Sequence, residues 1–285
     1  MIKARQRREF LRKVIIYAGL GLFTFFVLFP FAIMLISSFK YKEETIGRFT
    51  WWPEMGLTTR GYVNAFEKVA SSTSIVEGFF NTLWIIIPPT VIGLLVSALS
   101  AYAFAKLRFR GKKVMFGLLI ATMMVPGIAT LVPSYVIWDY LGVTAKAPFI
   151  PLMIPGMFGA AACVFFMRQA IFAIPDSIIE ASRIDGLGTF GCFVKIVLPL
   201  VKPALLSQGV LGFVAGYNDY FGPLIYLKSD YQTLQIAVSV FSDRYSGDWP
   251  SILAANIVAV IPTVLIYIFV QRYFIEGITA GGEKG

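Results

Sequence analysis

The sequence predicts an all-α membrane protein with six transmembrane helices and both termini in the cytoplasm. Of its 285 residues, 57% are hydrophobic and only 14% are charged, against about 25% charged residues in soluble globular proteins. Six apolar stretches each exceed the roughly 20 residues that cross the hydrocarbon core of a bilayer. The Lys and Arg residues between these stretches are distributed unevenly, which gives the orientation.

The six apolar stretches are the predicted spans. They cover residues 14–36, 79–103, 114–137, 149–170, 203–226 and 252–274. The first follows six basic residues, as in a signal peptide, but it is too long for a signal peptide and no small-residue cleavage site follows it. It is therefore predicted to be retained. Proline lies inside most of the spans, which indicates either packing kinks or a pathway that opens alternately to the two sides.

The basic residues set the predicted orientation. With the N-terminus inside, 17 of the 25 Lys and Arg residues lie in or beside inner segments, which are 1–13, 104–113, 171–202 and 275–285. The outer loops, of which 37–78 is the longest, hold the other eight. Because inner loops of membrane proteins carry an excess of Lys and Arg, this distribution accounts for most of the net charge of +9. No nucleic-acid partner is needed to explain it.

Composition argues against several classes of function. The chain has two Cys and no His, so neither a disulfide framework nor a metal site is predicted, and no cofactor is expected. Glu283 follows the glycines of 277–282 where a Walker A loop needs Lys and then Ser or Thr. A membrane-embedded enzyme needs clustered acids, His or metal ligands, which the sequence lacks. The chain is predicted to be non-enzymatic and to form a single domain over 1–285.

The inner loop 171–202 is the most informative polar segment. Ser177 and Glu180 have the spacing of a capping box, in which each side chain bonds the other's backbone N–H. A short helix is therefore predicted over 178–185. Gly186 then provides a left-handed cap, because glycine adopts positive φ without a steric penalty.

A second amphipathic helix is predicted from Thr189 to Leu198, ending before Pro199. In the first helix, a small and partly apolar knob is predicted, which consists of Ile178, Ala181 and Ser182. From periodicity alone, two interpretations remain open. The loop lies on lipid headgroups, or the knob docks on another protein.

This loop resembles the signature of inner-membrane permeases of binding-protein-dependent ABC importers. That signature is Glu-Ala-Ala, three residues, Gly, nine residues, Ile, one residue and Leu-Pro. The matching residues, at every spacing, are Glu180, Ala181, Ser182, Gly186, Ile196, Leu198 and Pro199. Ser182 is the single departure and replaces one small residue with another. Asp185 before Gly186 is the form usual in the carbohydrate branch.

The resemblance extends to other parts of the chain. Tyr217, Asn218 and Asp219 are similar to the Trp-Asn-acid segment in the fifth span of maltose-type permeases, with Tyr in place of Trp. The Gly-rich tail 276–285 looks like the end of those permeases. The chain therefore resembles the maltose-type sugar permeases, in particular their smaller, six-span subunit.

The resemblance implies a type I ABC importer permease fold in the cytoplasmic (inner) membrane, in contact with lipid. It implies that the chain carries a sugar or oligosaccharide by alternating access, with loop 171–202 docked on a separate cytoplasmic ATPase dimer. A second, homologous permease and an extracytoplasmic sugar-binding protein are the other implied partners. The residues assigned to coupling are Glu180, Ala181, Ser182, Asp185, Gly186, Ile196, Leu198 and Pro199.

Asp219 is the carboxylate that the predicted spans place clearly inside the membrane. An ionisable group at such depth usually faces the bundle interior or water. It belongs to a polar and aromatic cluster, which consists of Tyr217, Asn218, Asp219 and Tyr220. Either this cluster lines the sugar path, or Asn218 and Asp219 bond across to a helix that packs on Gly212 and Gly216.

An ion-coupled secondary transporter of a small polar solute is the alternative function. Such a transporter needs coupling-ion ligands within the membrane, usually several acids or the carbonyls of broken helices. One Asp gives this alternative little support. Uptake that continues without an ion gradient and stops on ATP depletion would distinguish the importer from it.

Overall fold

The structure is a computed structural model that describes residues 2–46, 50–67, 73–228 and 231–279. Within these ranges the chain forms helices and loops and contains no β-strand, which confirms the predicted all-α class. The helices are α1 Ile2–Ser38, α2 Arg60–Phe66, α3 Ile75–Lys106, α4 Lys112–Thr122, α5 Gly127–Tyr140, α6 Val143–Lys146, α7 Ile150–Met157, α8 Ala161–Phe172, α9 Asp176–Ile184, α10 Thr189–Cys192, α11 Leu198–Leu200, α12 Lys202–Tyr217, α13 Phe221–Tyr226, α14 Leu234–Arg244 and α15 Trp249–Thr279. A π-helical turn, Phe193–Val197, joins α10 to α11.

Six segments of the described chain can be counted as spans, and two of them are bent pairs of helices. The four others are long and apolar enough to cross a bilayer, and they are Phe10–Ser38, Ile75–Lys106, Ile150–Phe172 and Trp249–Phe269. The bent segments are the pair α4 and α5, with an angle of 95°, and the pair α10–α11 and α12, with an angle of 79°. The second bent pair, 189–217, shares only residues 203–217 with the predicted fifth span. Six spans result when each bent pair counts as one.

The predicted third span, 114–137, is not one continuous helix. Helix α4 ends at Thr122 and α5 begins at Gly127, directly after Pro126. Proline has no N–H to donate and disfavours the helical conformation in the residue before it. The apolar stretch was located correctly, and the proline accounts for its interruption.

The predicted fifth span, 203–226, is also interrupted. Helix α12 ends at Tyr217, and α13 begins at Phe221. In a continuous helix the ring of Pro223 would clash with the carbonyl of Asp219, four residues earlier. The prediction that Asp219 lies within a spanning helix is therefore wrong, because this residue lies in the break between α12 and α13.

The described residues divide into two compact units, which are drawn from residues 1–67 with 238–259 and from residues 68–237 with 260–285. In the first unit, Ser38 Oγ at the end of α1 lies 2.8 Å from Tyr62 Oη of α2. Asn64 Nδ2 of α2 donates a 3.0 Å hydrogen bond to Ser251 Oγ of α15. The single-domain assignment stays a prediction.

In the second unit, α3 packs against α7, α8 and α12. The buried core of this unit includes Ala98, Ala101, Tyr102, Met167, Ile171, Ile174, Ile179, Cys192, Phe193 and Val197. Several of these residues belong to the inner loop 171–202. The Tyr102 and Phe193 rings, for example, lie 5.5 Å apart between centroids. The inner loop is therefore packed into the same core as α3 and α8.

The predicted capping box in this loop is wrong. Helix α9 begins at Asp176, two residues before the predicted start, and no side chain caps it. Ser177 and Glu180 therefore both lie inside the helix. A capping box does occur at the start of α3, where Ser74 Oγ accepts from the Glu77 N–H at 3.1 Å and Glu77 Oε2 accepts from the Ser74 N–H at 3.0 Å.

The second helix of the loop was predicted to end at Leu198, and the helical segment instead continues to Leu200. Pro199 therefore lies inside it. In the preceding π-helical turn, the Leu198 N–H donates to the carbonyl of Phe193, five residues earlier. Because this turn already departs from α-helical bonding ahead of Pro199, the proline does not end the segment.

The orientation can be tested with single cysteines at two exposed positions. Thr59 lies in the predicted outer loop and Thr189 in the predicted inner loop, and both are exposed. We expect an impermeant maleimide added to intact cells to label Thr59→Cys and not Thr189→Cys. The unmodified chain is the blank, because Cys163 is partly buried and Cys192 is buried. Labelling of Thr189→Cys from outside would overturn the orientation.

Candidate functional sites in the inner loop and between the spans

Helix α9 is fixed at its start by Lys106, the last residue of α3. Lys106 Nζ donates to Asp176 Oδ1 at 2.7 Å and to the carbonyl of Ile174 at 2.5 Å. The hydrogen bond and positive charge of Lys106, with a smaller contribution from the charge of Arg108, hold the pKa of the Asp176 carboxyl below its usual value. The Lys106 side chain is only 6% exposed, so α9 begins at a defined point on the end of α3.

Helix α9 is fixed at its other end by a Schellman motif. The Leu187 N–H donates to the Ser182 carbonyl at 3.0 Å, and the Gly186 N–H donates to the Arg183 carbonyl at 3.1 Å. Gly186 has φ +84°, in the left-handed region that favours glycine. The predicted cap at Gly186 is confirmed.

The inner face of α9 packs against the core. Ile179 and Ser182 are buried, and Ser182 Oγ lies 2.7 Å from the Ile179 carbonyl and 3.1 Å from Cys192 Sγ. The prediction that Ser182 forms part of an exposed knob is wrong. At this position a small side chain lets α9 lie close to α10.

The opposite face of α9 is exposed. Ala181 and Ile178, which were predicted to form the knob, lie on it with Ile184, which is 86% exposed. Glu180 and Asp185 are exposed as well. Ile184 was not predicted to belong to this face, although its spacing of three residues from Ala181 and six from Ile178 is that of one helix face.

The second half of the signature lies at the other end of the loop. Ile196 and Leu198 are partly buried and pack against the core that contains Cys192 and Phe193. Pro199 is exposed. Of the assigned coupling residues, Ile196 and Leu198 therefore pack inside the loop, and the exposed surface available to a partner lies on α9.

A cavity of about 270 Å³ lies between α3, α7, α8 and α12 in the second unit. Most of its lining is apolar or glycine. Its polar lining residues are Thr90, Ser97, Gln208, Asp219 and Thr233, together with the thiol of Cys163. Both the break between α7 and α8, at Ala160, and the break after α12, at Asp219, border this cavity.

Of the predicted polar and aromatic cluster 217–220, only Asp219 lines the cavity. Asp219 lines it and also accepts a 3.2 Å hydrogen bond from the Gly222 N–H, which caps α13. Tyr217 is buried, with its ring stacked on Phe213 at 5.7 Å. Asn218 is exposed and donates to the Val214 carbonyl at 2.9 Å. Tyr217, Asn218 and Tyr220 are not among the lining residues of this cavity.

Glycines bring the helices around the cavity together. A methyl group on Gly216 of α12 would lie 3.1 Å from Ile86 Cγ2 of α3, so the packing interpretation holds at this position. On Gly212 it would lie 3.8 Å from Thr90 Cγ2, an ordinary contact. The closest approach is between α3 and α7, where a methyl group on Gly93 would lie only 2.2 Å from the Gly156 carbonyl oxygen.

No cluster of His, Cys, Asp and Glu that could hold a metal ion occurs in the described part of the chain. Of the Gly-rich tail, residues 280–285 lie outside that part.

Comparison with known proteins defines first the class and then the family. The chain superposes on a chain from a bacterial ABC transporter involved in the import of the acidic polysaccharide alginate, with a TM-score of 0.78 at 20% identity over 93% of this chain and 96% of that one. The fold is thus that of an ABC importer permease. A family model for the binding-protein-dependent transport system inner membrane component matches residues 90–279, and the chain belongs to this family.

Two relatives match over nearly the whole chain. The inner membrane ABC transporter permease protein YcjP of Escherichia coli K12 is 31% identical over 96% of this chain and 98% of the relative. The arabinooligosaccharides transport system permease protein AraQ of Halalkalibacterium halodurans is 30% identical over 94% and 95%. The chain is therefore a multi-pass permease subunit of the cytoplasmic membrane.

Proposed function

We propose that this permease carries a sugar or oligosaccharide across the cytoplasmic membrane by alternating access, coupled to a separate ATPase dimer through loop 171–202. The observation that carries the proposal is helix α9. It is short, is fixed at both ends by Lys106 and Gly186, and is packed on the core through Ile179 and Ser182. A displacement of α9 by the ATPase would therefore move α3 and α8 with it.

The free face of α9 has the character of a protein-docking surface. Ile184 and Ile178 are exposed apolar residues on either side of Ala181. Because the Ala181 side chain is small, a partner can approach closely between them. Exposed apolar surface rimmed by polar groups is typical of interaction sites. Glu180 makes no cap within its own helix, so its carboxylate remains to pair with a basic residue of the ATPase.

The assignment to sugars rests on the family resemblance of the Asp185–Gly186 sequence and on relatives such as the arabinooligosaccharide permease. The functional unit comprises this chain as a single transmembrane domain, a second homologous permease, the ATPase dimer and an extracytoplasmic sugar-binding protein. The cavity beside Asp219 is the part of the sugar path that this chain contributes. Hydroxyls and amides there, from Thr90 and Gln208, can bond sugar hydroxyl groups.

Uptake into proteoliposomes that contain the whole transporter tests this function. We expect accumulation of a labelled oligosaccharide to require ATP inside, at the ATPase, and the sugar-loaded binding protein outside. Dissipating proton and sodium gradients with ionophores should leave uptake unchanged. Uptake that needs an ion gradient and proceeds without ATP would establish the secondary transporter instead.

Removing the Asp219 carboxylate is expected to lower uptake about tenfold to a hundredfold, because a hydrogen bond to a charged group contributes roughly 1.5–3 kcal/mol. Asp219→Ala also removes the cap on Gly222, so assembly is checked by co-purification of the other subunits. Asn218→Ala should have a smaller effect, since Asn218 is exposed outside the cavity. Asp243→Ala, at an exposed carboxylate in α14, is the control.

If Asp219→Ala assembles and transports like the unmodified permease, Asp219 serves only to cap α13. The packing interpretation of the cluster would then replace the lining interpretation.

A further inference from the structure

Six basic residues lie at or between the neighbouring ends of α3, α4 and α8, on the side predicted to face the cytoplasm. Together they form the inner basic cluster, which consists of Lys106, Arg108, Arg110, Lys112, Lys113 and Arg168. Lys106 ends one span, Lys112 begins the next and Arg168 lies near the end of a third. Among the described residues, Asp176 is the acid that pairs with the cluster, through Lys106. The cluster therefore carries a large surplus of positive charge.

Three members of the cluster are held in place by the protein itself. Besides Lys106, Lys112 Nζ donates to the Leu107 carbonyl at 2.8 Å. Arg168 Nε donates to the Phe104 carbonyl at 3.2 Å, and its guanidinium group lies 4.4 Å from the centre of the Phe116 ring. These bonds satisfy the carbonyl groups at the end of α3. The bonds of Lys112 and Arg168 fix the position of these two charges without neutralising them, because their partners are uncharged carbonyl groups.

The other three members are exposed on the short connection between α3 and α4. Arg108, Arg110 and Lys113 make no ion pair within the described residues. Between the two arginines, Phe109 is 39% exposed, and Val114 beyond them is 67% exposed. Basic groups thus alternate with apolar groups at the level where the spans meet the inner interface.

We propose that the inner basic cluster binds the headgroup of an anionic phospholipid from the inner leaflet. The basic side chains surround the phosphate of the headgroup, and Phe109 and Val114 contact the acyl chains of the same lipid. Groups of four to eight basic residues on the cytoplasmic side of a span attract anionic lipids, with about 1 kcal/mol for each Lys or Arg near the surface. Because three spans begin or end at or near these residues, the proposal places the cluster at the depth of the lipid phosphate groups. The inference is independent of the sugar and of the coupling role of α9.

The test uses the complete transporter, with its ATPase, in phosphatidylcholine vesicles that contain a photoactivatable phosphatidylglycerol. We expect the lipid to label segment 107–114, as located by mass spectrometry, and unlabelled phosphatidylglycerol to compete. The variant Arg108→Gln, Arg110→Gln, Lys113→Gln should need on the order of one hundredfold more lipid for half-maximal labelling, since each lost charge weakens binding about fivefold.

A matched control removes three exposed basic residues from the outer side, through Lys42→Gln, Arg60→Gln and Arg244→Gln. We expect it to be labelled like the unmodified complex. Equal labelling by a photoactivatable phosphatidylcholine would overturn the proposal. So would labelling that appears only when the ATPase is omitted, because the cluster would then face that subunit. Competition by glycerol phosphate as effective as that by phosphatidylglycerol would mean a site for a soluble phosphate instead.

Discussion

Ala181→Trp is expected to abolish the ATP hydrolysis that the sugar-loaded binding protein stimulates in the reconstituted transporter. Ala181 lies between Ile178 and Ile184 on the free face of α9. If this face seats in a socket on the ATPase, an indole at its centre overpacks the contact, at a cost of roughly 1–3 kcal/mol or more. We expect the ATPase to co-purify weakly with this variant, while membrane insertion is unchanged because no span is altered.

The alternative for the loop gives the opposite outcome. On lipid headgroups, Trp at position 181 would be tolerated or favoured, since Trp prefers the membrane interface. Phe190→Trp is the control, because Phe190 is an exposed aromatic residue of α10 in the same loop. It should retain stimulated hydrolysis. Stimulation at the unmodified level in Ala181→Trp would falsify the docking role of α9.

Gly93→Ala is expected to lower the stability and yield of the permease more than a methyl group added at Gly212 or Gly216. The added carbon would lie 2.2 Å from the carbonyl oxygen of Gly156, far inside contact distance, and that neighbour is backbone. Neither α3 nor α7 can relieve the clash by turning a side chain. Overpacking of this kind costs about 1–3 kcal/mol, and more where nothing can give way.

The measurement for Gly93→Ala is the amount of detergent-extracted, monodisperse protein and its midpoint of thermal unfolding. Gly212→Ala is the matched control, since it adds the same methyl group beside the same cavity at an ordinary 3.8 Å contact. We expect the control to behave like the unmodified chain. Equal stability of the two variants would show that α3 and α7 are not packed as closely as described.

The fold was largely predictable because the number and order of spans follow from apolar length and from the distribution of Lys and Arg. The breaks were not predicted. Hydropathy averages over a window, so it finds the stretch 203–226 and cannot show that Pro223 interrupts it at Asp219. In both interrupted stretches, 114–137 and 203–226, the proline itself was the available signal, and its effect depends on which carbonyl lies four residues earlier.

The candidate site was predicted in position and not in detail. The signature located α9 and its glycine cap, and both are present. It could not show which residues face the core, because Ser182 and Ala181 are similar in size and adjacent in sequence. The start of α9 is set by Lys106, 70 residues away. Local patterns contain no information on such a contact, and so the capping box was placed wrongly.

Photo-crosslinking from position 184 in the assembled transporter directly measures whether the free face of α9 contacts the ATPase. A benzoylphenylalanine that replaces Ile184 projects from the free face of α9, and the same residue at Phe172, exposed at the end of α8, is the control. We expect position 184 to form an adduct with the ATPase subunit in high yield, and position 172 to form little or none. Adducts from position 184 with lipid alone, in a complex that contains the ATPase, would show that α9 lies on the membrane surface and does not dock on the ATPase.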